Sequence, residues 1–180
     1  MNASFIMSRF DAAGMAETCP ALKVVGVYAD LPAHMLATNL LRNVARNCST
    51  VCKLDSAWWS FDTLGSARVR ETAARAAAEA DMIWCSTHAC EALPEKVRAW
   101  VDAWSEFKGE SDAALVALLR CPSNYKVEHS PARAYLFQAA QAVGMELFVH
   151  RFDCACGASL NPLAAVPLQI RNQIDEYHPH

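Results

Sequence analysis

Glycine is scarce in this 180-residue chain, with six residues and no period of three. That excludes a collagen-like fibre, which needs glycine at every third position. Charge is also sparse, at 19% against 53% hydrophobic, which excludes a disordered chain held open by polar residues. There is no basic surplus. Sixteen Lys and Arg against 19 Asp and Glu leave a net charge of −3. Counterion release would then give little affinity for nucleic acid, and none is expected as a partner. No stretch approaches the roughly 20 apolar residues that cross a bilayer, so no membrane partner is expected either. The first residues, MNASFIMSRFDAAGMAE, hold no apolar run of the length a signal peptide needs, and the expected location is the cytoplasm. Eight cysteines (Cys19, Cys48, Cys52, Cys85, Cys90, Cys121, Cys154 and Cys156) fall below the density of a disulfide scaffold. In a reducing compartment they read as thiols, several of them small core residues.

What is present is an alternation of short apolar runs with helical stripes. Residues 1–22 have no sustained periodicity and read as an N-terminal arm. The run Lys23–Ala29 reads as a strand buried on both faces. Pro32 then opens a helix with Leu36, Leu40, Leu41 and Val44 at helical spacing. Ser49–Asp55 alternates as an edge strand does, and Trp58-Trp59-Ser60-Phe61-Asp62 reads as the loop after it. Thr63 or Ser66 caps an alanine-rich helix to Ala80. Asp81–Thr87 is the third strand. Pro94 opens a third helix with Val97, Trp100, Val101 and Trp104 on one stripe and Gly109 as its stop. Ala113–Leu119 is a central strand, Ser130-Pro131 starts a fourth helix ending at Gly144, and Met145–His150 is the fifth strand. Residues 153–180, with Pro162, Pro167 and Pro179, form a C-terminal tail.

Five strands alternating with four helices predict a three-layer α/β/α domain over residues 23–152, with a five-stranded parallel sheet. The flavodoxin-like strand order 2-1-3-4-5 is the expected one. Such sheets bind ligands outside the carboxyl ends of their strands, where the strand order reverses. The candidate ligand-binding residues there are Asp30, Ser86, Thr87 and His88. Trp58 and Trp59 after strand two, and Cys121 and Tyr125 after strand four, stand in neighbouring loops.

Familiar chemistries fit these positions poorly. The turn Asp30-Leu31-Pro32-Ala33 has no glycine or hydroxyl to cradle an FMN phosphate, and Pro32 removes a backbone donor. A phosphoacceptor receiver would end its third strand in Asp, where this chain has Ser86-Thr87-His88. A cysteine phosphatase needs Arg six residues after its Cys. That position holds Glu91 after Cys85, Lys96 after Cys90 and Val127 after Cys121. Cys154 and Cys156, with His150, His178 and His180, carry zinc-ligand chemistry in no standard spacing, so thiols in a tail are expected and no metal site is assigned. Cys48 and Cys52 read as packing. His88 near Cys90 suggests a base beside a nucleophile, although a loop histidine with an unrelated cysteine is the simpler reading. Trp58 and Trp59 could stack on a planar ligand or cover the sheet edge.

Several stretches together resemble a family of uncharacterised bacterial proteins with a flavodoxin-like (receiver-like) α/β pattern. They are Trp58–Asp62 with Leu64, Ala78–Ile83, Leu93-Pro94 with Val97, Trp100 and Trp104, Ala114–Leu118, and Phe148–His150. The resemblance spans residues 23–152, implies the fold, and is silent on activity. The expected function is therefore a non-catalytic regulatory module that binds a partner or a small-molecule ligand at the switch point. The rival is a redox enzyme holding a flavin or nucleotide in a non-standard mode among Trp58, Trp59, His88 and Tyr125. The cofactor, and whether there is catalysis at all, stay open. A homodimer is expected from the apolar surplus, through the sheet edge or the tail residues Leu160, Leu163, Val166, Leu168 and Ile170.

Overall fold

The computed structural model describes residues 21–47, 53–108 and 112–154. The readings made of residues 1–20 of the N-terminal arm, of Cys48 and Cys52, of Gly109 and of the tail from residue 155 onward lie outside these described residues, while Leu22, read as the end of the arm, opens the first strand. The elements run β1 (Leu22–Tyr28), α1 (Leu31–Asn47), β2 (Leu54–Ser60), α2 (Ala67–Ala78), β3 (Met82–His88), α3 (Glu95–Phe107), β4 (Ala114–Cys121), α4 (Pro131–Ala142) and β5 (Glu146–Asp153). Short 3-10 turns cover Thr63–Gly65 and Val127–His129. All strand pairings are parallel and the order is β2-β1-β3-β4-β5, the flavodoxin-like arrangement that the alternation predicts.

Side chains alternate across each strand, and this sorts the core into two layers. On one face Val24, Met82, Trp84, Val116 and Leu118 pack beneath α1, which contributes Ala37 and Leu41. On the other face Val25, Val27, Ile83, Cys85, Leu115, Ala117 and Leu119 meet α2, α3 and α4. The α3 stripe Val97, Trp100, Val101 and Trp104 is fully buried, as its spacing predicts. The alanines of α2 (Ala73, Ala74 and Ala77) let that helix sit close to the sheet. On α1 the buried line is Ala33, Ala37 and Leu41, while Leu36, Leu40 and Val44 are only half-buried.

One element departs from its sequence reading. Strand β2 begins at Leu54 and runs to Ser60, so Trp58 and Trp59 are strand residues and not a loop. An edge strand with a single neighbour is half-exposed and needs no continuous apolar run, which hides it from periodicity. Trp58 pairs in register with Gly26, which pairs on its other side with Trp84. A Cβ at Gly26 would overlap the Trp58 ring. The missing side chain therefore makes the space in which Trp58 and Trp84 meet edge to face, with ring centroids 6.1 Å apart.

Lys108, the C-cap of α3, is 6% exposed and donates from Nζ to the carbonyls of Ala77 (3.3 Å), Ala78 (3.1 Å) and Ala80 (2.7 Å). These belong to the end of α2 and the turn after it, where helix carbonyls lack intrahelical partners. The lysine thus ties two helices together.

Two stability measurements follow. Gly26→Ala should cost about 1–3 kcal/mol through overpacking, and adding Trp58→Leu should recover part of that loss in a double-mutant cycle of urea unfolding. Additive losses would contradict the packing described. Lys108→Met keeps the apolar stem but removes the ammonium from three carbonyls, of which, among the described residues, only that of Ala77 keeps a backbone donor, the Ala80 N–H, and should lower unfolding stability by about 1–3 kcal/mol.

Candidate functional site

The ladder pairs β3 and β4 from Met82 and Ala114 up to His88 and Arg120. Counting alternately from Trp84 puts Ser86 and His88 on the α1 face, and counting from Leu118 puts Arg120 there too. Thr87 and Cys121 point to the opposite face. The sequence-predicted residues therefore form two groups.

On the α1 face Asp30 is the hub. It follows β1 and caps α1, with Oδ1 accepting the Ala33 N–H at 2.7 Å. Arg120 Nη1 donates to both carboxylate oxygens at 3.0 Å. His88 Nε2 lies 2.9 Å from Oδ2. Beside an ionised carboxylate, that nitrogen carries the proton and donates it. Ser86, fully buried, donates from Oγ to the Ala33 carbonyl at 2.9 Å and holds the first turn of α1 against β3. Burial alone would push the Asp30 carboxyl up. The Ala33 N–H, the His88 hydrogen bond and the Arg120 charge outweigh it and hold the group below its ordinary range.

The side chains of Asp30, His88 and Arg120 are 36%, 33% and 18% exposed, so the cluster opens to solvent at the carboxyl ends of β1, β3 and β4. Among the described residues, His88 Nδ1 and the Nε and Nη2 groups of Arg120 make no hydrogen bond. Next to the cluster the His34 ring stacks on Tyr28 with centroids 4.4 Å apart and meets Trp58 edge-on at 5.6 Å.

The second group lies on the α2–α4 face. Thr87 and Cys121 are buried, and Trp59 and Tyr125 pack against the core there. Tyr125 Oη lies within reach of the Ala89 carbonyl (3.3 Å) and the His129 carbonyl (3.2 Å). Arg151 Nη2 donates to the carbonyls of Pro122 (2.9 Å) and Ser123 (2.6 Å), fixing the loop after β4. Among the described residues no three His, Cys, Asp or Glu side chains are placed to hold a metal ion. His150 instead packs on Phe152 at 4.6 Å, and burial pulls its pKa down. Cys156, His178 and His180 lie outside the described residues.

The structure thus joins Asp30 to His88 and puts Trp58, which meets Trp84 and His34, on the same face of the sheet. It places Trp59, Thr87, Cys121 and Tyr125 on the other. Arg120 is the member of this cluster that the sequence reading lacks. It stands at the end of an apolar run, and the only available signal is its place across from His88 once the two strands are set in register. No family model matches the chain, and no curated protein matches it.

The depressed Asp30 carboxyl makes a pH prediction. A group whose pKa is lower folded than unfolded stabilises above its unfolded value, and that contribution is lost as pH falls through the folded value. Asp30→Ala should therefore cost about 1–2 kcal/mol at neutral pH, through the lost cap and ion pair. The gap to the parent protein should narrow below the ordinary carboxyl value of 3.8. Urea unfolding on both sides of that pH checks it, and a constant gap would show that the charge is not involved.

Proposed function

We propose that the chain is a non-catalytic ligand-binding module that takes a small anionic ligand beside Arg120 and His88, at the carboxyl end of the sheet. The observation that supports this reading is how the Asp30 carboxylate is used. It accepts from a backbone N–H, a guanidinium and an imidazole at once. A carboxylate so engaged serves poorly as a base or nucleophile and well as a brace for the two groups around it. It engages Arg120 through Nη1 alone and leaves Nε and Nη2 without a hydrogen bond among the described residues, a fork that suits a phosphate or carboxylate. The turn that caps α1 lies alongside, and its helix end adds positive potential. Trp58 lends the flavin alternative little support, because its ring is engaged with Gly26 and Trp84.

Thermal unfolding with inorganic phosphate, sulfate and a small dicarboxylate tests the proposal. At about a hundredfold excess over Kd, a ligand bound only by the folded state should raise Tm by roughly 5–10 °C in a chain of this size. Arg120→Gln should remove the response while leaving the fold intact by circular dichroism. Equal responses in both proteins would place binding elsewhere. No response to any anion, together with flavin absorbance in the purified protein, would favour the redox reading.

A further inference from the structure

The thiols at the strand ends play no part in the anion site, yet the sheet gathers them. Cys121 closes β4 with its side chain fully buried on the α2–α4 face. Cys90 stands exposed two residues past the end of β3. Between them the ladder is prolonged by one bond, from the Ala89 N–H to the Arg120 carbonyl at 2.8 Å. Since His88 is level with Arg120, Ala89 is level with Cys121, and Cys90 comes one residue later, where the chain turns out of the ladder. Adjacent strands lie about 4.8 Å apart, and disulfides span Cα separations of about 4.4–6.8 Å. Tyr125 flanks the same place through the Ala89 carbonyl. Burial raises the Cys121 thiol most, and the charges of Cys154 and, more weakly, of Cys90 raise it further.

We propose that Cys90 and Cys121 form a peroxide-responsive dithiol–disulfide pair. The two positions divide the chemistry. Cys90 is open to solvent, so its thiolate meets hydrogen peroxide first. Sulfur attacks one peroxide oxygen, the O–O bond breaks, and Cys90 becomes a sulfenic acid with release of hydroxide. Burial holds the Cys121 thiol up and protonated, against the lowering charge of Arg151, so it does not react with solutes. It then attacks the sulfenic sulfur. The S–S bond forms, the S–O bond breaks, and the leaving hydroxide takes the Cys121 proton as water. The proton that Cys90 gave up on ionising joins the first hydroxide as water, so in sum two thiols and one peroxide give one disulfide and two waters. Cys85, deeper on the same face with its thiol pushed up to about 12, serves as an internal control that should stay reduced.

The full chain is treated with a small excess of hydrogen peroxide, alkylated, digested with trypsin without reduction and read by mass spectrometry. Cleavage after Arg75, Lys96, Arg120 and Lys126 puts Cys121 in its own peptide and leaves Cys85 and Cys90 on another, where fragmentation separates them. The expected product links Cys90 to Cys121 and leaves Cys85 alkylated. In Cys121→Ala, a small apolar replacement suited to the core, dimedone should trap several-fold more Cys90 sulfenic acid than in the parent protein. Cys121→Ser gives a second test should the alanine variant fold poorly, and circular dichroism monitors both. In Cys90→Ser, Cys121 should remain reduced. The Cys154 N–H donates to the Cys121 carbonyl at 2.8 Å, so a third cysteine borders the pair from β5. A Cys90–Cys154 or Cys121–Cys154 link as the main product would overturn the assignment. So would equal Cys90 sulfenic acid in the parent and Cys121→Ala proteins.

Discussion

His88 pairs with Arg120, and the Ala89 N–H carries the ladder one bond further, so β3 and β4 finish level with each other. The Ala29 N–H donates to the Ser86 carbonyl at 2.9 Å, which brings the end of β1 alongside them. With three strand ends fixed at neighbouring levels, the side-chain period of two decides which groups can meet. Even-numbered His88 and Arg120 fall on the α1 face with Asp30. Odd-numbered Thr87 and Cys121 fall on the other. Slipping β4 by one residue would exchange Arg120 and Cys121. It would also turn Leu115, Ala117 and Leu119 away from the helices that cover them. The apolar core therefore holds the polar site in register.

Much of the fold is legible in the sequence, because buried parallel strands read as continuous apolar runs and helices carry stripes. Leu115–Leu119 and the α3 stripe are unambiguous on those grounds. The edge is harder to read. Ser49–Asp55 alternates like a strand, whereas the β2 residues Ala57, Trp58, Trp59 and Ser60 are each half-exposed. The partner of Trp58 is Gly26, and a glycine that matters only because an indole covers it leaves no periodic trace.

The site is half legible for a related reason. Asp30 and His88 stand where a doubly wound sheet should hold ligands, and strand order is enough to select them. Arg120 sits 90 residues from Asp30 in the chain, and its partner becomes visible only when the register between β3 and β4 is known. Composition says nothing of it. Position after strand four points to Cys121 as well, but its full burial on the helix-covered face separates it from Asp30, Ser86 and His88.

The energetics of the Asp30 cluster bear on why it is there. Half-exposed ion pairs contribute little to stability, typically about 0–1 kcal/mol, because water screens them and long side chains lose freedom. The sheet below is built on apolar contacts, to the point that the buried indole N–H groups of Trp84, Trp100 and Trp104 find no acceptor among the described residues. A core willing to leave three donors unpaired for the sake of packing does not need an arginine for support. Apolar side chains at positions 88 and 120 would cover the strand ends at least as well. What the carboxylate does supply is orientation. It holds Nη1 of the guanidinium and Nε2 of the imidazole, and thereby sets the orientation of both groups. Held on β3 and β4 instead of a loop, His88 and Arg120 keep that orientation for as long as the two strands stay in register.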